Sequence, residues 1–319
     1  MRLALAGDTM LGRGVARALA TRPPAALVAP EVVELVQAAD LAVLNLECCI
    51  SERGRPWDAP GKPFHFRAPP SAVGLLRLLG VGCVTLANNH ALDYGPEALL
   101  DTLGHLADAG IATVGAGPEL DEARRPAVLD AAGLRVAVVG ASDHPADFAA
   151  APGRPGVAYA DLAGGTPGWL LASVRDAAAH ADVVLVTPHW GPNMTQAPLP
   201  HVRQAAAALL EAGATLVAGH SAHVPHGVGG RVLFDLGDFL DDYAVDPVLR
   251  NDLGLLFLLT VDRGGPRRLE AFPLKLDFCH TRLADGADAA WMRRRFRDAC
   301  AALGTEAQEA DGRLVVSWR

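Results

Sequence analysis

The sequence predicts a layered α/β fold, because short apolar runs alternate with alanine-rich segments of helical spacing. The apolar runs have the length and composition of buried strands, and polar or glycine-rich residues follow them. The predicted strands are residues 3–6, 41–46, 83–87, 135–140, 183–187 and 215–218, and the predicted helices are residues 11–20, 96–109, 168–180 and 202–212. Gly110 and Gly213 stand where two of these helices end, as glycine commonly does.

Two segments interrupt this alternation and predict long loops over one rim of the fold. Residues 53–70 and 141–167 are rich in proline and glycine and show no period. After residue 231 strand patterns dominate, which predicts antiparallel pairing in the last part of the chain. These later segments are strands at residues 232–236, 255–261 and 268–276, a helix at 289–302 and a strand at 313–318. We expect a single domain over residues 1–319, with its motifs in residues 1–245 and a strand-rich part at 246–319.

The composition narrows the classes of protein to consider. Half of the 319 residues are apolar, which suffices for a large core, and the formal charge of −8 offers no basic surface for nucleic acid or an anionic membrane. Five cysteines without a C-x-x-C spacing, two of them adjacent at Cys48 and Cys49, indicate neither a disulfide framework nor a zinc ribbon. The apolar stretches that begin at Leu3 and Leu253 are too short for a signal peptide or a membrane span. We therefore expect a cytoplasmic protein with no membrane anchor and no nucleic-acid partner.

Side chains that bind metal ions stand near the ends of five predicted strands. In open α/β sheets the carboxyl ends of the strands form the edge where ligands bind. The candidates are Asp8 after the first strand, Glu47 after the second, Asn89 and His90 after the third, His189 after residues 183–188, and His220 and His223 after residues 216–219. Carboxylate, imidazole and amide oxygen together suit Mn, Fe or Zn, whereas calcium would require more oxygen ligands. We therefore predict one or two divalent metal ions at this edge.

A site with such ions indicates that the protein catalyses hydrolysis. Two ions that share a bridging carboxylate polarise a phosphoryl or carbonyl oxygen and generate hydroxide near neutral pH. His90, where it is not itself a ligand, is placed to protonate a leaving group. The ions would thus serve a reaction in which water attacks the substrate.

Each of these residues also has an ordinary structural interpretation. Asp8 suits the cap of the helix that follows, and Asn89 suits a turn. His189 suits a hydrogen-bonded structural histidine, and His220 and His223 suit the surface of a loop. A shared site is favoured because five separate loops bring such groups to the same edge of a sheet.

Other polar residues near these loops are candidates for supporting roles. The candidates for holding an anionic substrate group are Arg13, Lys62 and Arg67. Cations on loops are often only solvated, which is the alternative for all three. The candidates for orienting the metal ligands are Asp143, His144 and Asp238. The arginine-rich run at residues 293–297 suits the polar face of the last helix, with a binding role as the alternative.

Seven segments together resemble one protein family. They are residues 7–13 (GDTMLGR), 45–47 (NLE), 62–70 (KPFHFRAPP), 87–95 (ANNHALDYG), 189–191 (HWG), 219–223 (GHSAH) and 236–239 (LGDF). In this order they are similar to the CapA-type poly-γ-glutamate capsule synthesis proteins, within the calcineurin-like metallophosphoesterase superfamily. Each segment alone is a weak signal, and the set is specific.

The resemblance implies a four-layer α/β/β/α sandwich, a metallo-dependent phosphatase-like fold, with a metal centre at the strand ends. The metal ligands that it implies are Asp8 for one ion, Glu47 as a bridge, Asn89 and His189 for the second ion, and His220 and His223 to complete the two sets. His90 would be the general acid, with Asp93 beside it as the other catalytic residue.

Two positions depart from the pattern of that family. The first motif of the superfamily has a metal-binding histidine two residues after the aspartate, where this chain has Met10. The closing motif is spaced His-x-x-His, at His220 and His223, and Ser221 stands where many relatives have another histidine. The first departure predicts a metal site short of one ligand, and the second leaves open which imidazole binds which ion.

The sequence thus favours a metal-dependent hydrolase that acts on a phosphoester or a glutamyl-type amide. Its substrate would be a small-molecule or peptide-like anion. The alternative is a non-catalytic accessory component of poly-γ-glutamate or related polymer biosynthesis, which Met10 favours. A third hypothesis is an enzyme that modifies peptide-linked glutamate.

Overall fold

Strands supply most of the framework of this protein. The computed structural model describes residues 1–59 and 61–318. The strands are β1 (Arg2–Thr9), β2 (Leu41–Leu46), β3 (Cys49–Ile50), β4 (Arg67–Ala68), β5 (Val81–Thr85), β6 (Ala112–Val114), β7 (Ala116–Gly117), β8 (Ala127–Ala131), β9 (Leu134–Ser142), β10 (Gly156–Val157), β11 (Val183–His189), β12 (Leu216–Ala218), β13 (Val228–Gly229), β14 (Val232–Leu233), β15 (Asp238–Leu240), β16 (Leu253–Asp262), β17 (Gly265–Asp277), β18 (His280–Leu283), β19 (Gln308–Ala310) and β20 (Arg313–Ser317).

Helices connect many of these strands. The α-helices are α1 (Arg13–Thr21), α2 (Pro30–Gln37), α3 (Val73–Leu78), α4 (Gly95–Asp108), α5 (Leu120–Arg124), α6 (Gly168–His180), α7 (Pro200–Glu211) and α8 (Gly286–Ala302), and short 3₁₀ helices lie at Pro24–Ala26, Pro70–Ala72 and Ala146–Phe148. Pro30 and Pro200 begin α2 and α7, where proline fits because the first N–H groups of a helix have no intrahelical acceptor. Gly110 and Gly213 follow α4 and α7 with φ of 72° and 114°, a conformation that glycine adopts most easily.

The strands form two main sheets. The order in the first is β19-β20-β17-β16-β1-β2-β5-β6, with β15 on β1 and β18 on β17. β1 runs parallel to β2 and antiparallel to β16, so the C-terminal strands extend the sheet that the first strand begins. The order in the second is β13-β14-β12-β11-β9-β8, in which β9, β11 and β12 run parallel. The predicted antiparallel pairing late in the chain is confirmed, because β17 pairs with both β16 and β20 in that sense.

Three hydrophobic cores lie against these sheets. Leu3 of β1 and Leu185 of β11 belong to one core, which the two sheets share. Ala4, on the opposite face of β1, belongs to a second core with side chains of α1, α2, α3 and α4. Val186 of β11 belongs to a third core with side chains of α6 and α7. A mixed α/β sandwich is therefore confirmed.

The structure corrects several predicted boundaries. The first segment predicted as a loop contains β4, and Pro60 within it lies outside the described residues; the second contains β10 and a 3₁₀ helix. The strand predicted at residues 232–236 ends at Leu233, because Leu236 pairs with Pro225 instead. The pattern does not predict α2, α3 and α5, since segments of eight, six and five residues are too short to show a helical repeat.

The carboxyl ends of the parallel strands place polar side chains at one edge. β1 and β15 pair in parallel with Asp8 opposite Asp238. Just beyond the ladder of β11 and β12, His189 lies opposite His220. Asp8 is the second-last residue of β1, and His189 is the last residue of β11. The sequence pattern predicts both residues just after the ends of their strands.

Candidate metal centre

Four buried side chains from distant parts of the chain converge at this edge. Single ligand atoms of Asp8, Glu47, His223 and Asp238 all lie within 4.8 Å of one another. Three carboxylates and one imidazole form a donor set that suits a divalent cation. The cluster could therefore hold a metal ion.

Backbone pairing brings the three carboxylates of this cluster together. The Asp8 N–H donates to the carbonyl of Gly237 at 2.8 Å, which sets Asp8 beside Asp238. Glu47 directly follows β2, and its N–H donates to a carbonyl of β1 at 3.1 Å. The side-chain amide of Asn45 donates to Oδ1 of Asp8 at 2.7 Å. The parallel ladders thus hold mutually repelling groups close to one another.

Three of the predicted histidine ligands lie around Asp8. His220 Nδ1 lies 3.3 Å from Asp8 Oδ1, and His223 Nδ1 lies 3.3 Å from Asp8 Oδ2. His189 Nδ1 lies 3.5 Å from the side-chain nitrogen of Asn45, the amide that donates to Asp8. The structure thus brings two imidazoles of the loop after β12 to Asp8, and that of His189, at the end of β11, to the amide that donates to Asp8.

Several buried polar atoms of the predicted ligands and of Asp238 have no hydrogen-bond partner among residues 1–59 and 61–318. They are Asp8 Oδ2, Glu47 Oε1, Asn89 Oδ1, His189 Nε2, His220 Nδ1 and Asp238 Oδ2. A buried polar atom without a partner costs about 1–3 kcal/mol, so these six atoms are unfavourable unless something binds them. Each is an oxygen or nitrogen of a type that coordinates Mn, Fe or Zn. These residues, which include five of the six predicted ligands, therefore fit a metal.

The charges of the cluster are strongly perturbed. Burial, and then the charge of Asp8, raises the pKa of Glu47 to about 8. Burial also raises the pKa of Asp238 well above its usual value, although His223 opposes this. Burial would lower the pKa of His223, but Asp238 and Glu47 outweigh it and hold that pKa well above its usual value. For Asp8, burial raises the pKa, and the nearby imidazoles of His220 and His223 outweigh it and bring the pKa well below the usual value. Protons on these groups balance negative charge that a divalent cation would otherwise balance.

A second buried network holds His90. Its Nδ1 lies 2.5 Å from Asp93 Oδ2, and its ring stacks on Phe66 at a centroid distance of 4.0 Å. Lys62 Nζ lies 2.8 Å from Asp93 Oδ1 and donates to the backbone carbonyl of Asn89 at 2.8 Å. Burial lowers the pKa of His90 to about 4, although Asp93 opposes this, so the ring is neutral near pH 7. Asp93 thus orients His90, and Lys62 links this pair to the backbone of Asn89.

Lys62 pairs with a buried carboxylate, and its contact with substrate, which the sequence predicts, stays a prediction. Lys62→Met is expected to lower the free energy of unfolding by about 2–4 kcal/mol, because the buried carboxylate of Asp93 would lose its ammonium partner. Arg67→Met is the matched control: this guanidinium lies 4.1 Å over the ring of Tyr94 and is partly exposed, so its loss should cost about 1 kcal/mol or less. Urea unfolding measures both changes, and equal losses would contradict the place of Lys62 in the network.

Arg13 lies among aromatic rings near Glu47. Its Nη2 lies 3.1 Å from Asp242 Oδ1, and its guanidinium carbon lies 5.4 Å from the ring centroid of Phe64 and 5.9 Å from that of Tyr243. The hydroxyl of Tyr243 in turn donates to Glu47 Oε2 at 3.1 Å. Because Arg13 is partly exposed, its guanidinium is within reach of a ligand that approaches the cluster from this side.

Sequence reasoning undervalued one residue of the cluster and missed two that support it. It predicts Asp238 only as an orienting residue, although the 236–239 segment that contains it was a recognised signal. It assigns no role to Asn45, which binds Asp8. Tyr243 carries no signal in the sequence, because its hydrogen bond to Glu47 depends on the path of the chain after β15.

At Met10 the resemblance described above implies a metal-binding histidine, which this chain lacks. Its side chain is fully buried in the hydrophobic core against the first sheet. Its sulfur accepts the N–H of Gly12 at 3.0 Å. The thioether therefore serves packing and a local backbone contact.

A model of one protein family matches most of this chain. The family is described as bacterial capsule synthesis protein PGA_cap, and the match covers residues 2–243. The chain belongs to this family. All four residues of the buried cluster lie within the part that matches the capsule synthesis family.

Three named relatives of this capsule synthesis family protein come from two bacterial genera. It is 35% identical over 276 residues to the probable polyglutamine synthesis accessory protein of Mycobacterium tuberculosis, covering 80% of this chain and 71% of that one. It is 31% identical over 242 residues to the PGA biosynthesis protein CapA of Bacillus subtilis, covering 74% of this chain and 62% of that one. It is 28% identical over 252 residues to the capsule biosynthesis protein CapA of Bacillus anthracis, covering 76% and 60%. The match spans less than two thirds of either CapA protein.

A solved structure shares the fold. The crystal structure of a hypothetical protein from Thermus thermophilus covers 87% of this chain and 100% of its own, with a TM-score of 0.51 and 17% identity. At this identity the similarity shows the fold alone. Within the part of the chain that the structure describes, no helix combines the length and the apolar character needed to cross a bilayer.

Proposed function

We propose that this protein is a metal-dependent hydrolase in which water attacks a phosphoester or a glutamyl-type amide. The observation that carries the proposal is the buried cluster of Asp8, Glu47, His223 and Asp238, whose three carboxylates each have an oxygen without a hydrogen-bond partner among the described residues. The buried His90 and Asp93 pair supports it, because such a pair can transfer a proton next to a metal centre.

The ligand set divides into two groups. The residues that would hold one ion are Asp8, His223 and Asp238. Those that would hold a second ion are Asn89, His189 and His220. Glu47 would be a ligand of both ions. Bound there, Mn, Fe or Zn would polarise the substrate and make water a stronger nucleophile near neutral pH.

The chain itself supplies orientation and proton transfer. Asp93 holds Nδ1 of His90, so on the neutral ring Nε2 is the nitrogen that would accept a proton from the attacking water and then give it to the leaving group. Lys62 holds Asp93 in turn, and through the carbonyl of Asn89 it fixes the loop that carries both His90 and a metal ligand. Arg13 would bind the anionic part of the substrate beside its aromatic neighbours.

A non-catalytic accessory role in poly-γ-glutamate or related polymer biosynthesis is the second candidate. Met10 favours it, because its sulfur is engaged with Gly12 at a position where the superfamily has a metal ligand. The relative in Mycobacterium tuberculosis is itself named as an accessory protein. In this role the protein would bind a metal or an acidic polymer without turnover.

Metal content and turnover of the purified protein test the proposal. We expect bound divalent metal, and hydrolysis of a generic phosphoester or a γ-glutamyl amide when Mn, Fe or Zn is supplied. His189→Ala is expected to lower turnover by about a hundredfold or more, since it removes a ligand of the buried site. His180→Ala is the matched control: it removes an imidazole on α6 that is 72% exposed and should change neither metal content nor turnover.

The outcomes separate the two candidates. A chelator should abolish turnover and added metal should restore it. Stoichiometric metal without turnover on either substrate class would favour the accessory role. Metal-free protein, or turnover that is the same in His189→Ala and wild type, would contradict a metal-dependent hydrolase.

A further inference from the structure

The arginine-rich run on α8 contains a guanidinium that forms no ion pair with the described residues. Arg293 and Arg297 pair with Glu309 at 3.2 and 3.0 Å. By contrast, Nε and Nη2 of Arg295 are shielded from solvent and have no hydrogen-bond partner within residues 1–59 and 61–318. Because unbonded buried donors are unfavourable, Arg295 departs from the solvated polar face that the sequence pattern predicts for this run.

Two arginines flank the ring of Trp291, and they differ in their partners. The guanidinium carbon of Arg250 lies 5.7 Å from the ring centroid, and the same side chain bonds to Asp252 and Asp288, each at 2.7 Å. The guanidinium carbon of Arg295 lies 5.6 Å from the ring centroid of Trp291. Burial lowers the pKa of Arg295, and no charge of the described residues offsets this shift. An aromatic ring attracts a cation but carries no net charge, so Arg295 keeps a positive charge that an anion could neutralise.

A cavity of about 350 Å³ opens beside this ring. The residues that line it are Gln196, Trp291, Arg294, Arg295, Asp298 and Ala299. The described lining thus offers two guanidinium groups and one carboxylate, and Arg294 is exposed. A guanidinium binds a carboxylate or a phosphate through two parallel hydrogen bonds, and the indole offers an apolar surface to the methylene groups next to such an anion. The lining suits an organic oxyanion.

The loop after β11 connects this cavity to the metal centre. Asn193 Nδ2 lies 3.1 Å from His223 Nε2, and Gln196, three residues later, lines the cavity. Three residues of extended chain span at most about 11 Å. His226 Nε2 donates to the carbonyl of Thr195 at 2.8 Å, which ties the same loop to the segment that carries His223. The cavity and the centre are therefore neighbours.

We propose that Arg295 and Arg294, beside Trp291, form a second binding site that takes the carboxylate or phosphate oxyanion of an acidic ligand. A chain of repeated carboxylates would place one of them here while another part of the chain lies at the metal centre. Anion binding at this site does not depend on hydrolysis. That the site binds part of a substrate chain rests on the proposed function.

Titration calorimetry of the full chain with inorganic phosphate, glutarate and a short γ-linked glutamate oligomer tests the site. We expect saturable binding of at least one probe, weakened about tenfold or more in Arg295→Gln and partly restored in Arg295→Lys. Arg297→Gln is the matched control, because Arg297 lies on the same helix and pairs with Glu309, and it should bind as wild type does. Binding of the carboxylate probes alone identifies an acidic chain as the source of the anion, and binding of phosphate alone identifies a phosphate group.

Other outcomes would overturn the site. These are the absence of binding of any probe to wild type, or equal affinities in wild type and a folded Arg295→Gln. Binding that is lost in Asp8→Asn but retained in Arg295→Gln would place the anion at the metal centre instead. Because calorimetry detects binding without turnover, failure to hydrolyse any substrate would count against the proposed function alone.

Discussion

Glu47→Gln is expected to abolish the stabilisation of this protein by a divalent cation while changing its metal-free stability by about 1 kcal/mol or less. Glutamine has the size of glutamate but supplies no charged oxygen to a metal. Glu47 lies in the buried cluster, and its Oε1 has no hydrogen-bond partner in the described part of the chain. Without metal, Glu47 is largely protonated near pH 7 because its pKa is about 8, and glutamine resembles this neutral acid, so the change should cost little.

The expected size of this effect follows from mass action. Free metal at a hundred times its dissociation constant adds about 2.7 kcal/mol to the free energy of unfolding. For a chain of 319 residues this raises the melting temperature by about 4 °C. Differential scanning calorimetry with Mn or Zn, and then with a chelator, measures the shift. Glu52→Gln, at an exposed position, should keep the full shift. A wild-type shift in Glu47→Gln would show that this carboxylate holds no metal.

Gly7→Ala is expected to destabilise the protein by about 3 kcal/mol and to weaken metal binding at the same time. A Cβ at this position would lie 1.8 Å from the carbonyl oxygen of Gly237 and 2.7 Å from its carbonyl carbon. Backbone has to move, because no flexible side chain can yield there. The displaced carbonyl is the acceptor of the Asp8 N–H, so Asp8 and Asp238 would separate.

Gly104→Ala is the matched control for Gly7→Ala, and it is expected to change the free energy of unfolding in the opposite direction. Gly104 lies inside α4, and a Cβ there would meet no atom of the described residues within 4 Å. Alanine should therefore stabilise the protein by about 0.5–1 kcal/mol through its helix propensity. Urea unfolding and metal affinity, measured on both variants, test the pair. Metal affinity that survives in a folded Gly7→Ala would refute the role of this close approach.

Local patterns are sufficient to predict several of the longer elements. β2 and α6 span Leu41–Leu46 and Gly168–His180, the bounds that the sequence predicts. The alternation of polar and apolar residues in a strand and the periodicity of a helix involve residues close together in sequence. Long elements can therefore be predicted from the sequence. Short elements such as α3 are not predicted, because their conformation depends on the surfaces against which they pack.

The site divides in the same way. Asp8, Glu47 and His189 could be predicted as ligands, because each is a metal-binding type at the end of a recognisable strand. Asp238 could not be placed among them, since its position beside Asp8 depends on the pairing of β15 with β1. Their binding of metal stays a prediction that the variants above test.

By itself the sequence determined the α/β class, the order of the long strands and helices, and the family, because these depend on patterns that are local or follow one another along the chain. Only the tertiary structure decided which donors share a centre, and which cations are neutralised. Lys62 is bound to a buried carboxylate, whereas Arg295 has no such partner among the described residues. The physical reason is that the distance between charges far apart in sequence depends on the register and packing of the sheets, which a local pattern does not contain.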